Sequence, residues 1–254
     1  MAREVVPQSG RVPPLDARQV TVHDSGMRDS VRHFVAELIG TFALVFVGGA
    51  AIAAGGGLVA VALAHGIILA VMVSALMRIS GHFNPAVTVG FLAARRIEPM
   101  MAGVYIAAQI IGAILAAYAL KALLPASLAA TTRLGGQSIS LDITAGQAIG
   151  LEAIATFFLA FVIFGTAVDP KAPRIGGLAI GLTIAADILA IGPFTGGSMN
   201  PARSFGPAVA SGVFEGQFIY WVGPLIGAVA AALLYDTLFI RREREPVDHG
   251  AVRP

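Results

Sequence analysis

Two stretches decide how this chain folds: "SGHFNPAVTVG" at Ser80–Gly90 and "TGGSMNPARSFGP" at Thr195–Pro207. Each sets an Asn-Pro-Ala triplet in a chain made mostly of Ala, Val, Ile, Leu and Gly. Asparagine is a preferred helix N-cap and proline is favoured at the first helical position. Asn84-Pro85-Ala86 and Asn200-Pro201-Ala202 therefore predict helix starts. The apolar stretches that follow, 86–94 and 202–211, would each cover ~15 Å, half a bilayer. Two such half-helices entering from opposite faces would bring their positive dipole ends together near the middle. The residues just before each cap cannot then be helical. The carbonyls of Gly81, His82, Phe83, Ser198 and Met199 are expected to line a narrow, water-filled path, because free backbone in a bilayer is tolerated only beside a cavity. Asn84 and Asn200 would add amide donors to that path.

The rest of the chain supports a membrane setting. Of 254 residues, 56% are hydrophobic and only 13% charged, and the mean hydropathy is +0.80; soluble chains carry about 25% charged residues. Six apolar runs, about 33–54, 58–78, 99–121, 147–168, 175–192 and 217–240, approach the ~20 residues that span a bilayer as a helix. They are too long and too uniformly apolar for barrel strands. The fold class is thus an all-α membrane protein with six spans and two re-entrant half-helices. There is no cysteine, which excludes disulfides, thiolate metal sites and thiol catalysis. The histidines at 23, 33, 65, 82 and 249 show no ligand spacing such as His-Glu-x-x-His. No metal, cofactor, nucleic-acid partner or enzymatic activity is expected.

Landmarks also recur. "ELIGTF" at Glu37–Phe42 returns as "EAIATF" at Glu152–Phe157, and "QIIGA" at Gln109–Ala113 answers "PLIGA" at Pro224–Ala228. Each carboxylate stands at nearly the same distance before its own Asn-Pro pair. The chain divides into a polar tail (1–32), a first three-span repeat (33–121), a connecting loop (122–146), a second repeat (147–240) and a second tail (241–254). An odd number of spans per copy inverts the second copy, and inverted repeats place the site near the midplane between them. With both termini in the cytoplasm, 14 of the 17 basic residues lie inside, leaving only Lys121, Arg133 and Arg203 outside. A cytoplasmic (plasma) membrane is the expected location.

The paired Asn-Pro-Ala motifs, the paired Glu segments and the six spans resemble the aquaporins, or major intrinsic proteins, over about residues 33–240. The second half, "GPFTGGSMNPARSFGPAV" and "YWVGPLIGA", is similar to plant tonoplast intrinsic proteins. The resemblance implies an hourglass pore in each subunit of a homotetramer, conducting water or small neutral solutes passively and excluding protons and ions. It also implies a constriction formed by His65, Ile188, Gly197 and Arg203, a combination shared with a tonoplast subgroup that carries both water and ammonia. An intramembrane arginine is a functional site by default. Glu37 and Glu152 would anchor the half-helix loops rather than perform acid–base chemistry. Ser204 and Ala208, where glycerol facilitators carry Asp and a cation, disfavour glycerol, as does Tyr220-Trp221. A broader urea or glycerol channel is the alternative. The segment Ser80-Gly81-His82 is one residue shorter than in the family. Asp187, an acid inside the fifth span, reads either as bonded to neighbouring backbone or as a group that orients or charges His65 and makes conductance pH-dependent.

Overall fold

The structure, a computed structural model, describes residues 17–173 and 175–241. Helix α1 (Ala17–Ala53) is followed by α2 (Gly57–Leu76), the short α3 (Pro85–Ala93) and α4 (Pro99–Leu123). After the small α5 (Ala126–Thr131) the order repeats as α6 (Ala145–Ile163), α7 (Gly176–Thr195), the short α8 (Pro201–Ser211) and α9 (Ile219–Tyr235). Single π-helical turns, Phe164–Val168 and Asp236–Arg241, extend α6 and α9. Six helices are long and apolar enough to span: Arg28–Ala53, Gly57–Leu76, Pro99–Leu123, Ala145–Val168, Gly176–Thr195 and Ile219–Ile240. The protein is an integral membrane protein of all-α fold.

Three segments show more local structure than the sequence reading specified. The polar tail expected over 1–32 is helical from Ala17, since a backbone beyond the apolar run can stay helical in water; residues 1–16 and 242–254, and Arg174, lie outside the described residues. The fifth apolar run, short at 175–192, continues into the segment that follows, as its shortness implies. It runs through Pro193 to Thr195 and ends on Gly196, whose φ is +78°. The connecting loop contains α5 and a 3-10 turn at Arg133–Gly135, and the Gly135 carbonyl of the latter accepts from Arg203 of α8.

The packing obeys an exchange of halves, α1 with α6, α2 with α7, α3 with α8 and α4 with α9. Helix α1 packs on α4 as α6 packs on α9, and α3 lies against α9 as α8 lies against α4. Each half-helix is thus supported by a full span of the other repeat. At the centre of the exchange α2 packs on α7. A Cβ added to Gly66 would sit 2.5 Å from the Gly181 carbonyl oxygen, and one added to Gly181 would sit 2.2 Å from that of Gly66. The two backbones touch there, which is how helices associate where apolar side chains gain nothing by leaving lipid. Large apolar side chains such as Ile67, Val71, Phe158 and Leu182 are exposed on the outer faces, where lipid would solvate them.

This contact gives a direct test. Gly181→Ala should destabilise the purified protein by about 1–3 kcal/mol through overpacking. Gly103→Ala, in α4 with nothing within 4 Å of the added carbon, should leave its thermal unfolding unchanged or slightly raised. Equal unfolding temperatures for the two variants would contradict the close approach.

Candidate functional site

The two Asn-Pro stretches meet in the middle of the bundle. Asn84 is extended (φ −158°, ψ 118°) and caps α3, its side-chain oxygen accepting from the Ala86 amide at 2.9 Å. Asn200 (φ −152°, ψ 110°) caps α8, accepting from Ala202 and Arg203 at 3.0 and 3.2 Å. The side-chain nitrogens then cross over. Asn84 Nδ2 donates to the Met199 carbonyl at 2.7 Å, and Asn200 Nδ2 donates to the Phe83 carbonyl at 2.8 Å. An amide group carries two N–H donors, so each asparagine keeps one beyond this reciprocal pair.

Just before each cap the chain turns into the left-handed region, at Phe83 (φ 48°) and Met199 (φ 53°). Such backbone is uncommon for bulky residues, and here buried carboxylates hold it. Glu37 accepts from the His82 and Phe83 amides at 2.8 and 2.7 Å, from Gln109 Nε2 at 2.7 Å and from the Ser80 hydroxyl. Glu152 accepts from the Ser198 and Met199 amides at 2.9 and 2.6 Å and from the Thr195 hydroxyl at 2.7 Å. The amide donors occupy the same two positions ahead of each asparagine, so the shorter first loop does not alter the grip. The side-chain donors do differ between halves. Tyr220 closes the second loop from α9, its hydroxyl donating to the Thr195 carbonyl at 2.8 Å.

A single narrow cavity runs past these elements. Among its lining residues are Gly81, His82, Phe83, Asn84, Ser198 and Asn200, together with His65, Ile188, Gly197 and Arg203. Leu69, Val87, Ile163, Ile180 and Ile184 make the remaining walls apolar. Its volume is about 20 Å³ for the centres of water-sized molecules, and roughly 10–15 Å³ of such space holds one water. Met199 is not among its lining residues. Its carbonyl is turned to Asn84 instead, so it takes the inter-loop bond, and the Phe83 carbonyl is engaged by Asn200 in the same way.

The four residues of the expected constriction all line that cavity. Arg203 is 4% exposed and His65 2%. His65 Nδ1 faces the Val61 carbonyl at 2.8 Å, which can only accept, so Nδ1 carries the proton. Its Nε2 is then free to accept from Arg203 Nη2 at 3.0 Å. Arg203 Nη1 donates to the Gly135 carbonyl at 2.9 Å, while Nε has no protein partner among the described residues. Gly197 has φ +58°, and a Cβ there would lie 3.2 Å from the Ile188 Cα. Both imidazole nitrogens of His65 are occupied, so Asp187 does not orient that ring. The Asp187 carboxylate is buried, and its Oδ2 has no partner among the described residues.

Some contributors carry no mark in the motifs. Gly48 of α1 leaves room for the His65 ring, since a Cβ there would meet Nε2 at 2.1 Å. Gly40 does the same for Phe83, at 2.0 Å from Cε1. Gly40 sits inside the repeated "ELIGTF", a signal that could have been read; Gly135, in the irregular connecting segment, had none. Ser204 accepts from Gln217 Nε2 at 2.8 Å and donates to the Pro201 carbonyl at 3.0 Å, and so braces α8 against the outer loop.

Replacing Glu152 by Gln keeps the shape but puts an NH2 where one of three donors needs an acceptor. Glu152→Gln should destabilise the protein by about 1–3 kcal/mol, the cost of a buried unmet donor. The unfolding temperature of the purified variant should fall; a wild-type value would contradict the anchoring role.

Comparison with known proteins agrees with this geometry. Residues 25–235 match the major intrinsic protein family. The chain is 46% identical over 224 residues to aquaporin TIP4-4 of Zea mays, covering 83% of this chain and 87% of that one. It is 44% identical over 232 residues to the probable aquaporin TIP2-1 of Oryza sativa subsp. japonica, covering 85% and 91%. Among solved structures, the aquaglyceroporin from Plasmodium falciparum superposes with a TM-score of 0.74 at 26% identity, over 84% of this chain and 98% of that one. With its two capped half-helices and the cavity between them, the chain belongs to the major intrinsic protein family of membrane channels.

Proposed function

We propose that the protein conducts water passively in single file, with ammonia as a second permeant, and excludes protons and ions. The observation that carries this reading is the crossed asparagine pair on a cavity that also contains the Arg203–His65 contact. In it the asparagines present donors to a passing water oxygen where the positive ends of α3 and α8 converge. A cation there meets two dipole ends and a guanidinium, and an Arg or half-helix dipoles are a recognised barrier to protons and cations in such pores. The apolar walls hold water weakly enough to let it move on.

The relatives' printed names describe aquaporins, which supports water as the substrate class. For ammonia, the support is the constriction itself: Ile188 and Gly197 offer no hydrogen bond of their own side chains, and the imidazole and guanidinium are bound to each other. Ser204 and Ala208 lie on α8 without the acid and cation of glycerol facilitators, so glycerol ranks below water. Urea is the remaining alternative. Membership of the major intrinsic protein family supports assembly as a homotetramer, and the charge distribution supports cytoplasmic termini, with a plasma membrane as the proposed location.

Stopped-flow light scattering on reconstituted vesicles tests the substrate assignment. Water and ammonia should cross well above protein-free vesicles, and glycerol should not. Arg203→Val should raise urea or glycerol flux by about tenfold, equivalent to ~1.4 kcal/mol of barrier. Glycerol flux in the wild type as fast as in Arg203→Val would contradict a constriction set by Arg203.

A further inference from the structure

One residue beside the constriction contributes no side chain to it. A Cβ on Gly48 of α1 would lie 2.1 Å from His65 Nε2, 2.5 Å from Cε1 and 2.6 Å from Cδ2. The Nε2 edge of the imidazole therefore rests on bare backbone. The inverted repeat shows what a larger residue does at the same place. Gly48 stands as far beyond Glu37 as Ile163 stands beyond Glu152, so the two hold matching positions on α1 and α6. The mutual contact of Gly66 with Gly181 pairs the residues just before them, His65 and Ile180, in the same way. In the second repeat Ile163 and Ile180 both carry full side chains, pack in one apolar cluster and line the cavity. In the first, the imidazole lies in the room that a side chain at 48 would take.

We propose that Gly48 is a positioning residue for the constriction: its missing side chain seats the His65 ring in the pore wall, and a side chain at 48 would turn that ring into the lumen and close it to water. The inference rests on the channel reading above.

The packing decides which part gives way. Carbon atoms rest at about 3.5–4.0 Å from one another, so a methyl group at 48 would displace the ring edge by roughly 1 Å or more. Helix α1 cannot retreat to make that room. Its next residue, Gly49, is pressed by α4 and by the turn at Arg133–Gly135. A Cβ on Gly49 would lie 2.5 Å from Leu120 Cδ1, and one on Gly135 would lie 2.6 Å from Gly49 Cα. Helix α2 cannot retreat either, because Gly66, the residue after His65, already touches the Gly181 backbone.

The imidazole, which swings about two side-chain bonds, is what yields. To do so it leaves the contacts with Val61 and Arg203, at 2.8 and 3.0 Å. The open space beside it is the cavity it lines, about 20 Å³ for the centres of water-sized molecules. A single water takes roughly 10–15 Å³ of such space, so a ring turned into the cavity blocks a file of waters. The width of the constriction is in this way set from behind, by α1.

Water flux by stopped-flow light scattering on the reconstituted full chain compares wild type, Gly48→Ala, His65→Ala and the double variant Gly48→Ala/His65→Ala. Gly48→Ala should lower the flux per channel by about tenfold, equivalent to ~1.4 kcal/mol of barrier. The double variant should conduct at least as fast as wild type, since removing the ring returns its room to the added methyl group. A simple loss of helix packing would not be cured by truncating a second side chain. Solid-state NMR of the imidazole nitrogens follows the ring independently of flux, with the His65 signal identified by its absence from His65→Ala. Its Nε2 resonance should move in Gly48→Ala as the contact with Arg203 breaks. Wild-type flux in Gly48→Ala overturns the proposal. So does a low flux that persists in the double variant, an Nε2 resonance that stays in place, or a double variant that does not fold. Should Gly48→Ala alone fail to fold, a double variant that folds and conducts bears out the seat. Absence of water flux in the wild type overturns the channel reading instead, and the Nε2 resonance then still decides whether Gly48 seats the ring.

Discussion

Everything in this protein depends on keeping irregular backbone satisfied inside a bilayer. Six residues, 81–83 and 197–199, lie outside any helix at the centre of the molecule, where water is scarce and each unmet polar group costs several kcal/mol. The solution is reciprocal. Each loop receives a carboxylate from its own repeat and an asparagine from the other. The carboxylate takes the inward N–H groups, the asparagine takes the last carbonyl, and the remaining polar groups are left for the pore. Neither half can form its site alone, because α3 leans on α9 and α8 leans on α4.

The same constraint explains the small residues. Half-helices must reach the axis, so the full spans must leave room, and glycine or alanine stands where they cross. Gly206 of α8, whose added Cβ would lie 2.4 Å from the Ala113 carbonyl oxygen, lets α8 press on α4 in this way. At the outer end, α8 is finished by Gly212 and by Lys121, which donates to the Ala210 carbonyl at 2.8 Å. At the opposite end Arg96 clasps Asp236 and ties the segment after α3 to the end of α9. The half-helices are therefore clamped at both ends, and a fixed constriction follows from that rigidity.

Much of this was legible in the sequence because its physics is local. Asn-Pro-Ala sets a cap and a helix start wherever it stands, and the repeat of Glu37 at Glu152 announced that the two halves share one plan. Spans followed from apolar length. What the sequence could not show was pairing across the repeat. Nothing in "FNPAV" says that the Phe83 carbonyl is reserved for Asn200, and the Met199 carbonyl was expected on the pore although Asn84 takes it. The contact of Arg203 with Gly135 joins residues far apart, through a segment that read as plain loop. Asp187 shows the limit from the other side. Its acid stands out in the sequence, but both nitrogens of His65 are occupied by Val61 and Arg203, and no side-chain hydrogen bond among the described residues gives it a role.

The central claim is that the crossed asparagines and the Arg203–His65 contact leave a path one water molecule wide. The ratio of osmotic to diffusive water permeability, measured on the same reconstituted vesicles, tests it most directly. Molecules that cannot pass one another must move as a file, so the osmotic value should exceed the diffusive one by roughly the number of waters in the file. A ratio well above one is the result this account requires. A ratio of one would mean that water crosses by independent diffusion, and the single-file path would be wrong.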